Sequence, residues 1–228
     1  MNEHIVDVIS FQPDLAELVK RLRLKEGSPY LADLQRLRDE AERIARPKAL
    51  YKIAFIEARG DNYVIVDGVT LTSRVLRVNL ERVHRVFPYV ATCGVELDQW
   101  AHAQEDVLFQ YWADVIKEMA VRVASQALFQ SMTACYELGK TAVMSPGSLA
   151  DWPLPQQRPL FSILGDVTGA IGVTLSDSFL MTPNKSVSGV RFATDDDFAS
   201  CQLCPRENCP GRRAPYDETL YDRKYRKE

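Results

Sequence analysis

The stretch Leu175-Ser-Asp-Ser-Phe-Leu-Met-Thr-Pro-Asn-Lys-Ser-Val-Ser-Gly189 carries more information about the fold than any other part of the chain. An apolar run ends at Met181, a polar turn follows at Pro183-Asn184-Lys185, and a Ser-Val-Ser-Gly exit leads into Val190 and Phe192. Proline pre-sets φ for a chain reversal, and the short side chain of asparagine bonds its own backbone there. The flanking runs have the character of extended chain, so the stretch reads as a strand, a turn and a second strand. Ser186, Ser188 and Gly189 stand where the backbone must bend or come close to another group.

The rest of the chain has the character of a globular protein. Its 228 residues are enough for one large domain or two small ones, and 46% hydrophobic with 26% charged content supports an ordinary core. A net charge of −3 lacks the basic excess that nucleic acid or an anionic membrane surface requires. No apolar run approaches the roughly 20 residues that span a bilayer. The start, Met1-Asn2-Glu3-His4, has neither the basic nor the apolar region of a signal peptide, so a cytoplasmic location is expected.

Working outward from the quoted stretch, three segments emerge. Residues 1–46 read as a helical segment, in which Asp14 opens a helix carrying Leu15, Leu18, Val19 and Leu22. Gly27-Ser28-Pro29 then breaks the chain, with Ser28 as the cap and Pro29 as the first residue of a second helix carrying Leu31, Leu34, Leu37 and Ile44. Residues 47–195 form the core. A hairpin turns at Gly60-Asp61-Asn62, a strand runs over Val86–Thr92, and a helix free of Gly and Pro spans Asp106–Leu138. A proline-rich loop follows from Ser145 to Pro159, then a short helix over Leu160–Gly165. Residues 196–228 change composition and read as a small cysteine-bearing appendage.

Of the 5 cysteines, Cys93 and Cys135 stand alone, whereas Cys201-x-x-Cys204-x-x-x-x-Cys209-Pro210 is crowded. In a reducing compartment crowding points to metal rather than disulfide. Three soft ligands suit a 4Fe–4S cluster or zinc, and proline after the last cysteine often accompanies cluster ligands. The 3 histidines, His4, His84 and His102, lie far upstream, leaving Cys93 or a non-cysteine group as fourth ligand. Unmetallated thiols, and Cys93 as a small core hydrophobe beside a glycine turn, are the competing readings. Ser145-Pro146-Gly147 offers turn donors to a small polar ligand, although turn chemistry alone also accounts for it. Trp152 reads as a stacking surface or as a lid packed on the core. The basic residues of the final segment, from Arg212-Arg213 to Lys227, are interspersed with Asp217, Glu218 and Asp222 and read as a solvated face.

The quoted stretch closely resembles the signature L-T-E-S-x-x-M-x-P-x-x-S-V-S-G of the activation domain of cobalamin-dependent methionine synthase. Ser145-Pro146-Gly147, Leu160-Phe161-Ser162-Ile163-Leu164 and Gly172 continue the similarity, which covers about residues 141–192. The resemblance implies an α+β fold: one domain in which long helices pack on a twisted antiparallel sheet, here with a metal-binding tail. It further implies a cofactor site at Ser145, Pro146, Gly147, Met181, Ser186, Ser188 and Gly189. In that family the domain covers a corrinoid, binds S-adenosylmethionine and supports reductive remethylation of Co(II) cobalamin with an electron from a flavodoxin-type donor. The family's ligand loop, R-P-A-P-G-Y-P, corresponds here to Val143-Met144-Ser145-Pro146-Gly147-Ser148-Leu149. Valine cannot replace a guanidinium that grips a carboxylate through two hydrogen bonds, which argues against the family's mode of S-adenosylmethionine binding. The expectation is therefore a stand-alone relative acting in trans on a corrinoid protein or cobalamin-dependent methyltransferase. It would pass a low-potential electron through a cluster at Cys201, Cys204, Cys209 and Cys93. The alternatives are an S-adenosylmethionine-binding reactivation subunit, or a non-redox corrinoid-capping module with structural zinc.

Overall fold

A computed structural model describes residues 3–25 and 27–226. Met1 and Asn2 of the expected leaderless start, Glu26, and Lys227 and Glu228 of the final segment lie outside the described residues. In chain order the elements are β1 (Glu3–Val6), α1 (Leu15–Arg21), α2 (Leu31–Ile44), β2 (Lys48–Lys52), β3 (Ala54–Arg59), β4 (Tyr63–Val66), β5 (Val69–Thr72) and α3 (Arg74–Asn79). There follow β6 (Arg85–Thr92), α4 (Val95–His102), α5 (Val107–Tyr136), β7 (Thr141–Met144), α6 (Gln157–Leu164), α7 (Val167–Ile171), β8 (Thr174–Leu175), β9 (Met181–Thr182) and β10 (Ser186–Ala193).

The fold is organised around β6, whose residues from Val86 to Thr92 are all buried. A strand buried on both faces reads as a near-continuous apolar run, and Val-Phe-Pro-Tyr-Val-Ala-Thr is one. β10 lies along one edge of β6, with Ser186 opposite Thr92 and Arg191 opposite Phe87. The other edge is shared by β2, with Tyr51 opposite Tyr89, and β3, with Ala54 opposite Val86. Phe87 and Pro88 therefore fall where β2 gives way to β3, so the missing N–H of Pro88 coincides with a gap in the ladder. β1 flanks β2, β4 and β5 extend the β3 edge, and β7 flanks β10, giving an 8-stranded antiparallel sheet.

Alternation along the strands divides the core. Leu50, Val86, Val90, Val190 and Phe192 face α3, α6 and α7, together with Trp152. Ala49, Tyr51, Phe87, Tyr89 and Ala91 face Ala124, Leu128 and Met132 of α5. The first half of α5 packs with α1, α2 and α4 through Trp112, Ile116, Leu18, Leu34 and Leu37. Burying such side chains contributes about 1.5–3 kcal/mol each before the entropic cost of ordering them. Among the described residues no helix is long and apolar enough to cross a membrane.

Helices on an antiparallel sheet in one domain match the expected fold class. α5 begins where expected, its Asp106 cap accepting from Leu108 N at 2.7 Å. Other local expectations are corrected. The quoted stretch is a strand, a turn and a second strand as expected, but β9 is two residues long and pairs with β8, so only β10 joins the main sheet. α2 is preceded by Tyr30 rather than capped by Ser28, whose hydroxyl reaches only Tyr30 N at 3.4 Å. α6 starts inside the expected proline loop, because Pro159 sits in its first turn, where a missing N–H costs nothing. The tail is no separate appendage. Tyr225 is fully buried in the α3-side core and donates to Asn79 Oδ1 at 3.0 Å, and Phe198, Leu203 and Leu220 pack beside it.

Candidate functional site

The signature turn is held from beneath by a charge that gave no sign in the sequence. Lys117, in the middle of α5, is 3% exposed, and a lone ammonium at such a depth would be driven to neutrality. It is instead paired with Asp98 of α4 at 2.9 Å and donates to Asn184 Oδ1 at 2.8 Å. Lys185 reaches Asp114 at 2.8 Å, so Asn184 and Lys185 both fasten the turn to α5. Ala101, His102 and Gln110 join these groups around a polar cavity of about 190 Å³. The Thr182–Pro183 peptide within the turn is cis.

Both signature serines are used internally. Ser186 Oγ donates to the Pro183 carbonyl at 2.7 Å and lies 2.9 Å from Thr92 Oγ1, tying the turn to the end of β6. Ser188 Oγ donates to Gln157 Oε1 at 2.7 Å in the interior, tying β10 to α6. Met181 is half-buried against the α3-side core. Gly189 is required by close approach: a Cβ there would lie 2.4 Å from Met144 O, 2.8 Å from Ser145 Oγ and 3.0 Å from Tyr89 Oη. Gly189 and Ser145 are thus brought together, with Tyr89 as a third member that the sequence reading missed.

The Ser145-Pro146-Gly147 turn offers fewer free donors than expected. Gly147 N donates to Trp152 O at 2.7 Å and Ser148 N to Ser145 O at 3.1 Å, while Pro146 is buried. Trp152 itself is fully buried, so it is core and not a stacking surface. The loop is pinned at Asp151, whose carboxylate accepts from Val75 N at 3.0 Å and from Ser73 Oγ at the start of α3. An arginine on β10 ties that strand to its neighbours. Arg191 lies over the Phe129 ring at 4.9 Å and donates to Phe129 O at 2.9 Å and to Thr141 Oγ1 at 3.0 Å, joining β10 to α5 and β7.

Burial pushes the Tyr89 phenol up to about 12, against the pull of the Ser145 hydroxyl and of the Arg213 and Arg191 charges. A proton held more tightly when folded gives stability that is full below the ordinary value of 10.0 and is lost as pH rises through about 12. Urea midpoints measured from pH 9 upward should therefore fall with a tyrosine contribution approaching about 1.4 kcal/mol per pH unit between those values. Tyr89→Phe should remove that part of the slope; an unchanged slope would show that Tyr89 ionises freely in the folded protein.

The cysteines do not assemble as a metal centre. Among the described residues no three His, Cys, Asp or Glu side chains could together hold a metal ion. Cys93 is fully buried in the helical core with Leu97 and Trp112, while Cys204 packs against the core on the α3 side. Burial pushes the Cys93 thiol up to about 12, aided by nearby Asp98, which is the environment of a small hydrophobe and not of a thiolate ligand. Gly94 explains that turn: at φ +95° its missing Cβ would lie 2.3 Å from the Arg46 carbonyl. Cys201, Cys204 and Cys209 are all half-buried. Arg212 draws their loop together by donating to the carbonyls of Cys201 at 3.1 Å, Cys204 at 3.2 Å and Ala214 at 3.2 Å, and also to that of Arg206.

A cleft of about 720 Å³ opens at the far end of β6 and is lined by Asn79, Arg82, His84, Arg85, Asp196 and Lys224. It contains none of the residues expected to hold a cofactor or a metal. No protein-family model matches the chain, and no curated protein sequence matches it. Among solved structures it is similar to the crystal structure of the MetH reactivation domain bound to AdoHcy, at TM-score 0.56 and 16% identity over 87% of this chain and 81% of that one. A sheet centred on β6 and β10, backed by α5 and locked at Gly189 and the Pro183–Lys185 turn, therefore has the fold of the MetH reactivation domain.

Proposed function

We propose that this chain is an activation-domain module that acts in trans on a cobalamin-dependent methyltransferase of the methionine synthase kind and supports reductive reactivation of its Co(II) corrinoid. The observation that carries the reading is the coincidence of the shared fold with the signature, whose turn is fixed to α5 by Lys117 and Lys185. The chain's residues contribute a rigid surface, and in this reading the partner brings the corrinoid. A low-potential donor completes the system.

The similar structure is bound to AdoHcy, which makes an S-adenosylmethionine-related ligand the first to test. The loop over Val143–Leu149 has no arginine, and its turn donors are already bonded to Trp152 and Ser145 carbonyls. If such a ligand binds here, other residues hold it, with Arg191 and Arg213, whose charges act on Tyr89, as the cations to test. A metal-bearing tail, with a 4Fe–4S cluster or zinc, is the second reading. It is favoured by the Cys201, Cys204 and Cys209 spacing and opposed by the scattered arrangement of the ligands. No step of the proposal passes through that tail.

The test uses a cobalamin-loaded methionine synthase lacking its own activation domain, poised as Co(II), with titanium(III) citrate as donor. Adding this chain, with S-adenosylmethionine present or absent, should accelerate loss of the Co(II) absorbance by about tenfold or more, equivalent to about 1.4 kcal/mol of barrier. An unchanged rate together with no complex on size-exclusion chromatography rejects the reading. Acceleration only with S-adenosylmethionine assigns the ligand, and iron, sulfide and zinc analysis of anaerobically purified protein decides the metal.

A further inference from the structure

Cys201 and Cys204 differ from the other cysteines in geometry. Cys201 lies within the 3-10 turn Ser200–Leu203 and Cys204 follows directly after it, with Cys204 N donating to Cys201 O at 3.3 Å. Such an i to i+3 hydrogen bond holds the two Cα atoms within about 7 Å, close to the range a disulfide spans. Cys201 Sγ accepts the Arg213 N–H at 3.4 Å. The four-carbonyl grip of Arg212 engages backbone oxygens, so it fixes the turn while leaving both sulfurs free to react. Cys93 is sealed in the core, and Cys135 is exposed near the end of α5, away from this turn.

We propose that Cys201 and Cys204 form a thiol–disulfide couple that exchanges with small-molecule disulfides, Cys201 being the attacking thiolate and Cys204 the resolving thiol. The Cys201 thiolate attacks one sulfur of the disulfide RSSR, forming a Cys201–SR mixed disulfide and releasing RS⁻. The Cys204 thiol loses its proton to solvent and attacks the Cys201 sulfur, closing the Cys201–Cys204 bond and releasing the second RS⁻. Two protein thiols are oxidised by two electrons and one small disulfide is reduced to two thiols. Packing of Cys204 against the α3-side core suits the resolving role, while the Cys201 sulfur accepts a backbone N–H that favours its thiolate. The couple goes beyond the activation-domain reading and does not rest on it.

The test takes the full chain, purified anaerobically, reduced, and equilibrated with mixtures of reduced and oxidised glutathione. Intact mass should show loss of two hydrogens, mapped to a Cys201–Cys204 peptide and retained in Cys209→Ser. Cys204→Ser should stop at a glutathione adduct on Cys201. With iodoacetamide at pH 7, Cys201 should react about tenfold faster than Cys209, and Cys201→Ser should abolish both the fast phase and the bridge. Bridging mapped to Cys209, equal alkylation rates, or bound iron–sulfide or zinc shielding all three thiols would each overturn the proposal. None of these outcomes alters the corrinoid assay, so the two readings fail separately.

Discussion

Gly189→Val is expected to cost about 3 kcal/mol or more, in the upper range of overpacking substitutions, and to lower the thermal midpoint by about 6–12 °C for a chain of this size. Any Cβ at this position points at Met144 O, 2.4 Å away, and that atom belongs to the ladder joining β10 to β7. A side chain in that place could rotate aside, but a ladder carbonyl cannot. The strand must shift, and with it the pairing of Gly189 to Tyr89 on β6. Ser145→Ala in the valine background should recover little, because it removes only the contact at 2.8 Å. Val187→Ala, two residues earlier on the same face and 39% exposed, is the control and should change the midpoint by little. Scanning calorimetry of the four proteins checks this; a midpoint for Gly189→Val within a degree of the wild type would mean that the seam is loose.

Lys117→Ala is expected to cost about 3–5 kcal/mol, because it leaves the Asp98 carboxylate buried without its partner. Asp98 is 7% exposed, and the lost ammonium also supported Asn184, so the signature turn loses its floor along with the charge balance. Removing both charges is a different experiment. Lys117→Met with Asp98→Leu should recover most of the loss, since a buried pair exchanged for apolar groups of similar volume is often close to neutral. Urea unfolding of the two single variants and the double variant forms a cycle whose coupling energy measures the pair. A coupling below about 0.5 kcal/mol would falsify the claim that the turn rests on this pair.

Much of the scaffold was legible because its signals are local. The Asp106 cap, the uninterrupted α5, the Gly60-Asp61-Asn62 turn and the apolar run of β6 each follow from neighbouring residues alone. The strand at Met181 was legible but its partner β8 was not, because alternation looks extended whichever strand it pairs with and partner choice depends on distant chain. Ser28-Pro29 has the chemistry of a helix start, but the chain turns once more before α2 begins at Leu31. At the site, Gly189 and Ser145 could be named but their meeting with Tyr89 could not, since the contact joins residues more than fifty positions apart. Lys117 was hidden for a related reason: on a helix with apolar residues on several sides, a lone lysine looks solvated until Asp98 is seen beneath it. The crowding of Cys201 and Cys204 is plain in the sequence, yet spacing says nothing of the fourth ligand, and folding places Cys93 in a different core.

Tyr225 changes the polymer physics of everything before it. With its ring in the interior and its hydroxyl on Asn79, residues 199–224 are not a free end but a loop closed at both ends. The entropic cost of such closure grows only with the logarithm of loop length, about 0.6 kcal/mol for each doubling. The cysteine segment can therefore vary in length or sequence between Cys204 and Arg212 at little thermodynamic expense. Its anchor has less latitude, because Tyr225 is the fully buried ring among the side chains that hold this loop to the core.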